Sequence, residues 1–216
     1  FKKKKIDVLG IYRNKKIKYK KFNQKKIDLT NKIQFKVKSN NLIIISSVHK
    51  IEDFNIDKKK NYKNNILIVK NSLDFAKKNN IKNIIFFSTI DINFIKWPKL
   101  KKDYIPSKVK GEEILHNSYK KGELKKLFFL RLPAIIGKNC NKNFLVNLIA
   151  NLKANNKVTL WNYNKPYNNF IHIDDVCRLV YKLLKLRKNR FKIIECESYG
   201  SKTLLSMAKY AKKKIE

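Results

Sequence analysis

Ile84-Ile85-Phe86-Phe87 is an unbroken apolar run that ends on two hydroxyl side chains, Ser88 and Thr89. A run without polar alternation predicts a strand covered on both faces, as in a parallel sheet, with Thr89 delivered to the sheet's carboxyl edge. After a loop of about fifteen residues comes Tyr104-Ile105-Pro106-Ser107-Lys108, then Gly111-Glu112-Glu113. Pro106 is tolerated in a first helical turn, where its missing N–H costs nothing. Ile105, Val109, Glu112 and Leu115 mark changes of face that predict a helix over 104–120. Tyr104 and Lys108, four positions apart, then share one side of that helix. A buried strand leading into such a helix puts the chain in the α/β class.

A tyrosine hydroxyl titrates at about 10 when unperturbed, too high to exchange protons readily at neutral pH. An ammonium beside it favours the phenolate, and bringing the tyrosine to about 7 takes roughly 4 kcal/mol. Thr89 would hold a substrate oxygen next to the phenol. Such a trio lacks only a hydride carrier, so a nicotinamide cofactor is implied. Spacing by itself is weak support. With lysine so abundant, roughly two Tyr-x-x-x-Lys pairs arise by chance, and the chain holds four: Tyr12/Lys16, Tyr104/Lys108, Tyr181/Lys185 and Tyr210/Lys214. Only the pair at 104 follows a hydroxyl-tipped strand and opens a helix.

The strand ending in Ser-Thr, followed by Tyr104-x-x-Ser107-Lys108-x-x-Gly111-Glu112, resembles the active-site segment of the extended short-chain dehydrogenase/reductase family. These are the NAD(P)-dependent epimerases, dehydratases and reductases of nucleotide sugars. The resemblance implies a Rossmann-like doubly wound parallel sheet with a small C-terminal substrate region. It implies Tyr104 as general acid/base, Lys108 as the cation that lowers its pKa and binds the ribose, and Thr89 as the holder of the substrate oxygen.

The likeness continues along the chain. Residues 5–12 read as a strand ending at Arg13; in the family an arginine there binds the 2′-phosphate of NADP and an acidic residue the ribose of NAD. Arg13 leans to NADP, the alternative being a solvated turn arginine. Lys26-Ile27-Asp28-Leu29-Thr30 is similar to the family's Gly-Asp-Leu-Thr, whose aspartate reaches the adenine; Asp28 also suits a helix N-terminus, with 31–38 as a short helix. Residues 42–45 form a buried strand, followed by Ser46 and Ser47, whose small size lets backbone approach the nicotinamide end. His49 has no assigned role. A helix over 60–79 carries Asn65, a candidate site-lining amide. A strand over 127–132 leads into Arg131-Leu132-Pro133, similar to the family's Arg-Leu-Pro, where backbone around the proline touches nicotinamide. A helix near 144–154 and a strand at 158–160 follow. Phe170-Ile171-His172-Ile173-Asp174-Asp175-Val176 resembles the family's Arg-Asp-Phe-Ile-His-Val-Asp-Asp-Val, with Asn168 in place of the arginine that contacts substrate phosphate. His172, Asp174 and Asp175 read as caps and packing. A strand over 191–195 and a helix from Thr203 complete the chain.

Two regions result: 1–135 as the NAD(P)-binding core, and 136–216 as a substrate-binding region interleaved with the last core strands. The resemblance also implies a homodimer built on the helices at 60–79 and 104–120.

The formal net charge of +36 invites a nucleic-acid reading, but of 52 basic residues only Arg13, Arg131, Arg178, Arg187 and Arg190 are arginine. Readers of phosphate and bases favour arginine's bidentate fork. The lysine excess accompanies equally heavy use of asparagine and isoleucine, the mark of an AT-rich coding sequence, and lysine runs such as 2–5 read as solvated faces. Cys140, Cys177 and Cys196 are widely spaced, which fits a reducing, cytoplasmic setting and neither disulfides nor a zinc site. No apolar run approaches the length of a membrane span.

The family's opening Gly-x-x-Gly-x-x-Gly turn, which cradles the pyrophosphate, has no counterpart among glycines 10, 111, 122, 137 and 200. In the usual strand order the strand before that turn lies mid-sheet, so this chain should show a slot with unpaired edges. The sequence opens on Phe1 rather than methionine and reads as cut, with about 25 to 40 residues expected upstream, the size of one strand-turn-helix unit. The leading function is an NAD(P)-dependent oxidoreductase acting on a sugar, expected to be nucleotide-linked, of the 4-ketoreductase type. Alternatives are an NAD-dependent nucleotide-sugar epimerase, an inactive truncated relative, and a basic nucleic-acid-binding protein. A dehydratase is disfavoured, because Ile90 and Asp91 stand where that class carries Asp-Glu.

Overall fold

The structure, a computed structural model, describes residues 6–14, 22–45, 58–94, 104–138, 140, 143–200 and 202–215. Its elements are β1 (Leu9–Tyr12), β2 (Asn23–Lys26), β3 (Asn41–Ile44), α1 (Lys58–Lys78), β4 (Asn83–Thr89), a 3-10 turn (Ile90–Phe94), α2 (Tyr104–Lys120) and β5 (Lys126–Leu132). There follow β6 (Ala134–Ile136), α3 (Phe144–Lys153), β7 (Phe170–His172), α4 (Ile173–Lys185), β8 (Arg190–Glu195) and α5 (Leu204–Ile215). The chain separates into two units, Phe1–Arg131 with Val180–Ile194, and Leu132–Leu179 with Glu195–Glu216.

In the first unit β3, β4, β5 and β8 make one sheet in that spatial order. β3 runs parallel to β4, pairing Asn41 with Asn83 through Ile44 with Phe86. The apolar runs are strands because both faces are covered: Ile84, Ile85, Phe86, Leu127, Phe128, Phe129 and Leu130 are all buried. Each such side chain contributes about 1.5–3 kcal/mol. Phe86 meets Phe129 edge-on at 6.1 Å, and Phe129 meets Phe191 of β8 likewise at 5.4 Å. Gly111 lets α2 come close to α1 and the sheet. A Cβ there would lie 3.0 Å from Phe86 Cζ and 3.2 Å from Val69 Cγ2.

β1 and β2 form a separate parallel pair, Leu9 opposite Asn23 through Tyr12 opposite Lys26. Among the described residues, neither joins the four-stranded sheet. Among the described residues β1 and β3 therefore each pair on one side only, so both leave an unpaired edge.

Two expected elements are absent. Residues 31–38 form neither a helix nor a paired strand. The Asp28 carboxylate accepts from the Thr30 backbone N–H at 3.0 Å and the Thr30 hydroxyl at 2.8 Å, closing a side-chain turn instead of opening a helix. Beyond that turn Ile33 is buried, and Phe35 and Val37 pack on the same core. Asn79, just past α1, pairs with it: its Oδ1 accepts from Val37 N–H at 2.8 Å. Residues 158–160 are not a strand; Val158 and Leu160 instead pack on the cluster of Leu145, Leu148, Leu204 and Ala208 between α3 and α5. α1 itself stops at a Schellman-type cap, with Asn80 at φ 55 and Ile81 N–H donating to Ala76 O at 2.8 Å.

In the second unit β6 and β7 pair in parallel. Asn143 caps α3, accepting from Val146 N–H at 3.1 Å. Asp174 and Asp175 sit in the first turn of α4, where acidic side chains favour the helix dipole.

Candidate active site

β4 carries Thr89 to its carboxyl end, and α2 begins at Tyr104 and packs against that strand and the 3-10 turn after it. Thr89 is buried, and its Oγ1 accepts from Asp91 N–H at 3.2 Å. A hydroxyl that accepts one bond keeps its proton to donate. Beside it, Ser88 Oγ is buried with no hydrogen-bond partner among the described residues, a loss of about 1–3 kcal/mol.

Lys108 is 3% exposed. Its Nζ donates to Phe87 O at 2.7 Å and lies 4.8 Å from the Phe86 ring centre and 5.7 Å from that of Tyr104. Burial pulls its pKa from 10.5 down to about 8, against a smaller upward pull from Glu112. The other helical Tyr-x-x-x-Lys pairs provide a comparison. Lys185 lies 4.8 Å over Tyr181 and Lys214 5.9 Å over Tyr210, so the spacing alone produces a cation–ring contact. Both those lysines are exposed. Burial, not spacing, distinguishes Lys108.

The start of α2 is held from α1. Asn65 Nδ2 donates to Ser107 Oγ at 3.0 Å, and Ser107 Oγ donates to Tyr104 O at 2.7 Å. Asn65 and Ser107 are both buried. On the far side of Lys108, Glu112 is held by the Arg131 guanidinium through two bonds, at 3.2 and 2.8 Å.

Arg13 and Asp28, fifteen positions apart in sequence, meet in an ion pair at 3.1 Å beyond the carboxyl end of β1. The Asp28 carboxyl is held below its usual value by the Thr30 N–H and hydroxyl first, and by Arg13 last. Ser46, Ser47 and His49 lie outside the described residues. Pro133 is partly buried between β5 and β6 and belongs to the second unit.

The model of the NAD dependent epimerase/dehydratase family matches residues 1–195. The chain belongs to that family. Solved structures carry the same fold. The UDP-glucose 4-epimerase of Thermotoga maritima with UDP-glucose aligns at a TM-score of 0.76 and 13% identity, covering 98% of this chain and 75% of its own. The UDP-N-acetylglucosamine 4-epimerase of Bacillus cereus gives 0.71 at 18% identity, over 96% and 72%. The UDP-glucuronic acid 4-epimerase of Bacillus cereus in complex with NAD gives 0.73 at 17%, over 91% and 67%. No curated protein matches the sequence.

Membership of the epimerase/dehydratase family implies a nicotinamide dinucleotide, and the side chains can be tested against one. Arg13 with Asp28, and Tyr104 with Lys108, offer polar groups suited to its two sugar ends. Its pyrophosphate finds no glycine cradle among the described residues. Gly10 lies inside β1, where a Cβ would meet the Phe22 ring at 2.6 Å, so it is a packing glycine. Gly111 is inside α2, Gly137 abuts Ile173, and nothing lies within 4 Å of a Cβ at Gly122 or Gly200, both in surface turns. The described residues fit the two ends of the cofactor and not its middle.

Glu112 and Arg131 belong to separate motifs 19 positions apart, and nothing in their spacing joins them. The available signal was Glu112 standing four positions after Lys108, on the same side of the helix.

Proposed function

We propose that this chain is the hydride-transfer portion of an NAD(P)-dependent oxidoreductase acting on a sugar, nucleotide-linked, as a 4-ketoreductase. The observation that carries this reading is the buried ammonium of Lys108 one turn from Tyr104, at the hydroxyl-tipped end of β4. With its pKa at about 8 that ammonium is still mostly charged at neutral pH, and little water is present to screen it. It favours the Tyr104 phenolate, so Tyr104 can give a proton to a carbonyl oxygen as the carbon is reduced, and recover it in the reverse direction. Thr89 donates its hydroxyl proton to the same oxygen and orients it. The nicotinamide, when bound, supplies or accepts the hydride. Arg13 favours a 2′-phosphate, hence NADP, and Asp28 the adenine end; Ser46, Ser47 and Pro133 are assigned to the nicotinamide end.

A second reading, an NAD-dependent nucleotide-sugar epimerase, draws on the Arg13–Asp28 pair. The carboxylate offsets the arginine's charge and offers an acceptor for ribose hydroxyls. The epimerases named above, one of them holding NAD, agree with it. The nucleic-acid reading loses support, since Arg13, Arg131 and Arg178 each face a carboxylate. A homodimer through α1 and α2 is part of the proposal.

Fluorescence titration with NADPH and NADH tests it. Tight NADPH binding that is lost in Arg13→Ala supports the reductase, and NADH preference or copurifying cofactor supports the epimerase. Failure to bind either leaves an inactive relative. With a substrate in hand, Tyr104→Phe should lower kcat by about 10²–10⁴-fold with cofactor binding intact.

A further inference from the structure

Arg131 stands where three segments meet. It leaves the end of β5, grips Glu112 of α2 with Nε and one terminal nitrogen, and extends its other terminal nitrogen to Asn93 Oδ1, 3.5 Å away in the 3-10 turn that follows Thr89. The ion pair is nearly dry, with 16% of the arginine side chain and 10% of the glutamate side chain open to solvent. Such a pair is seldom worth its desolvation as a source of stability, and apolar residues of similar size commonly serve a fold as well. Its position suggests what else it does. Glu112 is one helical turn beyond Lys108, itself buried, and Arg131 links that turn to the segment that follows Thr89.

We propose that Glu112 and Arg131 are the positioning pair of this site: Arg131, holding Glu112 by two bonds and reaching Asn93 by a third, ties the segment after Thr89 to the helix bearing Tyr104 and Lys108, and Glu112 sets its carboxylate one helical turn from the buried Lys108. This rests on the reading of Tyr104, Lys108 and Thr89 as the reacting trio. Other groups around Lys108 do less of this work. α1 presents the uncharged Asn65 and Val69 to α2. β4 presents Phe86 and the Phe87 carbonyl. The 3-10 turn carries Asp91, and on α2 Lys110 and Glu113 pair with each other at 2.8 Å on the exposed side. Glu112 pulls the Lys108 titration upward; Arg131, paired to that carboxylate, carries the opposite charge and is expected to pull it the other way.

That opposition makes the test. Lysine side chains labelled with ¹³C and ¹⁵N are followed by NMR across pH, and the Lys108 signal is the one missing from Lys108→Arg. In Glu112→Gln the Lys108 midpoint should fall by roughly half a pH unit or more, and in Arg131→Gln it should rise. Arg131→Lys, which keeps the charge and loses the fork, should leave the midpoint near the parent value while loosening the Asn93 contact. If a single variant does not fold, the double variant Glu112→Gln/Arg131→Met, neutral at both positions, remains available and should lower the midpoint. An unchanged midpoint in all of these, or shifts of the same sign in Glu112→Gln and Arg131→Gln, overturns the proposal. The readout needs neither cofactor nor turnover, so a chain that fails the NADPH and NADH titrations still decides this question.

Discussion

Lys108→Met should make the protein more stable at neutral pH. The lysine pKa drops from 10.5 in water to about 8 in the fold, chiefly through burial. At about 1.36 kcal/mol per pH unit, that depression is worth about 3 kcal/mol. Below the folded value of about 8 the side chain is charged in both states, and the folded chain carries the whole cost of a dehydrated ammonium. Between about 8 and 10.5 the unfolded chain binds more protons than the folded one, so stability rises with pH. Above 10.5 the amine is neutral in both states and the cost is gone. Methionine fills similar volume with no charge but leaves the Phe87 carbonyl without its donor, a loss of about 1 kcal/mol. The net gain is then about 2 kcal/mol at neutral pH, falling to nothing or below as pH passes 10.5. Urea unfolding of parent and variant, paired at each pH, cancels the contribution of every other titrating group. A variant less stable than the parent at neutral pH, with a difference flat in pH, would refute the claim that Lys108 is a buried cation. Such a cost without structural benefit is what a working site is expected to carry.

Two further substitutions separate packing and spacing from this effect. Lys214→Met removes the same i to i+4 lysine from the exposed Tyr210 and should change stability by no more than about 0.5 kcal/mol at any pH, read by the same urea series. Gly111→Val forces side-chain atoms into the gap between Val69 and Phe86, where even a Cβ would sit at 3.2 and 3.0 Å. It should cost about 1–3 kcal/mol by thermal or urea unfolding, and an unaffected midpoint would mean that α1 and α2 are not in close contact there.

The parts of the fold legible in the sequence are those whose local pattern matches their final environment. α2 begins and ends where its periodicity predicts, at Tyr104 and Lys120, and β4 and β5 are apolar because both their faces are covered. β2 is illegible for the opposite reason. Asn23-Gln24-Lys25-Lys26 is mostly exposed, and it is a strand only because β1 lies beside it. At 31–38 the alternation of Ile33, Phe35 and Val37 was a period of two, and the aspartate before it competed for a helix cap; the Thr30 contacts turned that aspartate into a turn former. The site divides the same way. Tyr104 and Lys108 are local to one helix, so spacing finds them. The Glu112–Arg131 and Arg13–Asp28 pairs join elements distant in sequence, and only the tertiary fold brings them together.

The open edge of β3 is testable by itself. In a strand, successive N–H groups point to opposite sides, so only alternate amides of β3 can bond to β4. β4 and β5 have a neighbour on each side, and nearly all their amides should resist exchange. About half of those in β3 should exchange quickly and half slowly. Leu42 and Ile43 are only partly buried and Ile45 is 61% exposed, so this edge, unpaired among the described residues, also presents apolar side chains, a combination that invites another strand. Hydrogen exchange resolved to single amides distinguishes the two situations. Alternating protection along 41–44, beside uniform protection along 84–88, means that the edge is open in solution. Uniform protection in β3 would mean that a strand already covers this edge in solution. Arg13 with Asp28 follows β1, in one sheet, and Tyr104 with Lys108 stands by β4, in the other. The groups that fit the ends of a dinucleotide are thus carried by separate sheets, and the described residues provide nothing for its pyrophosphate.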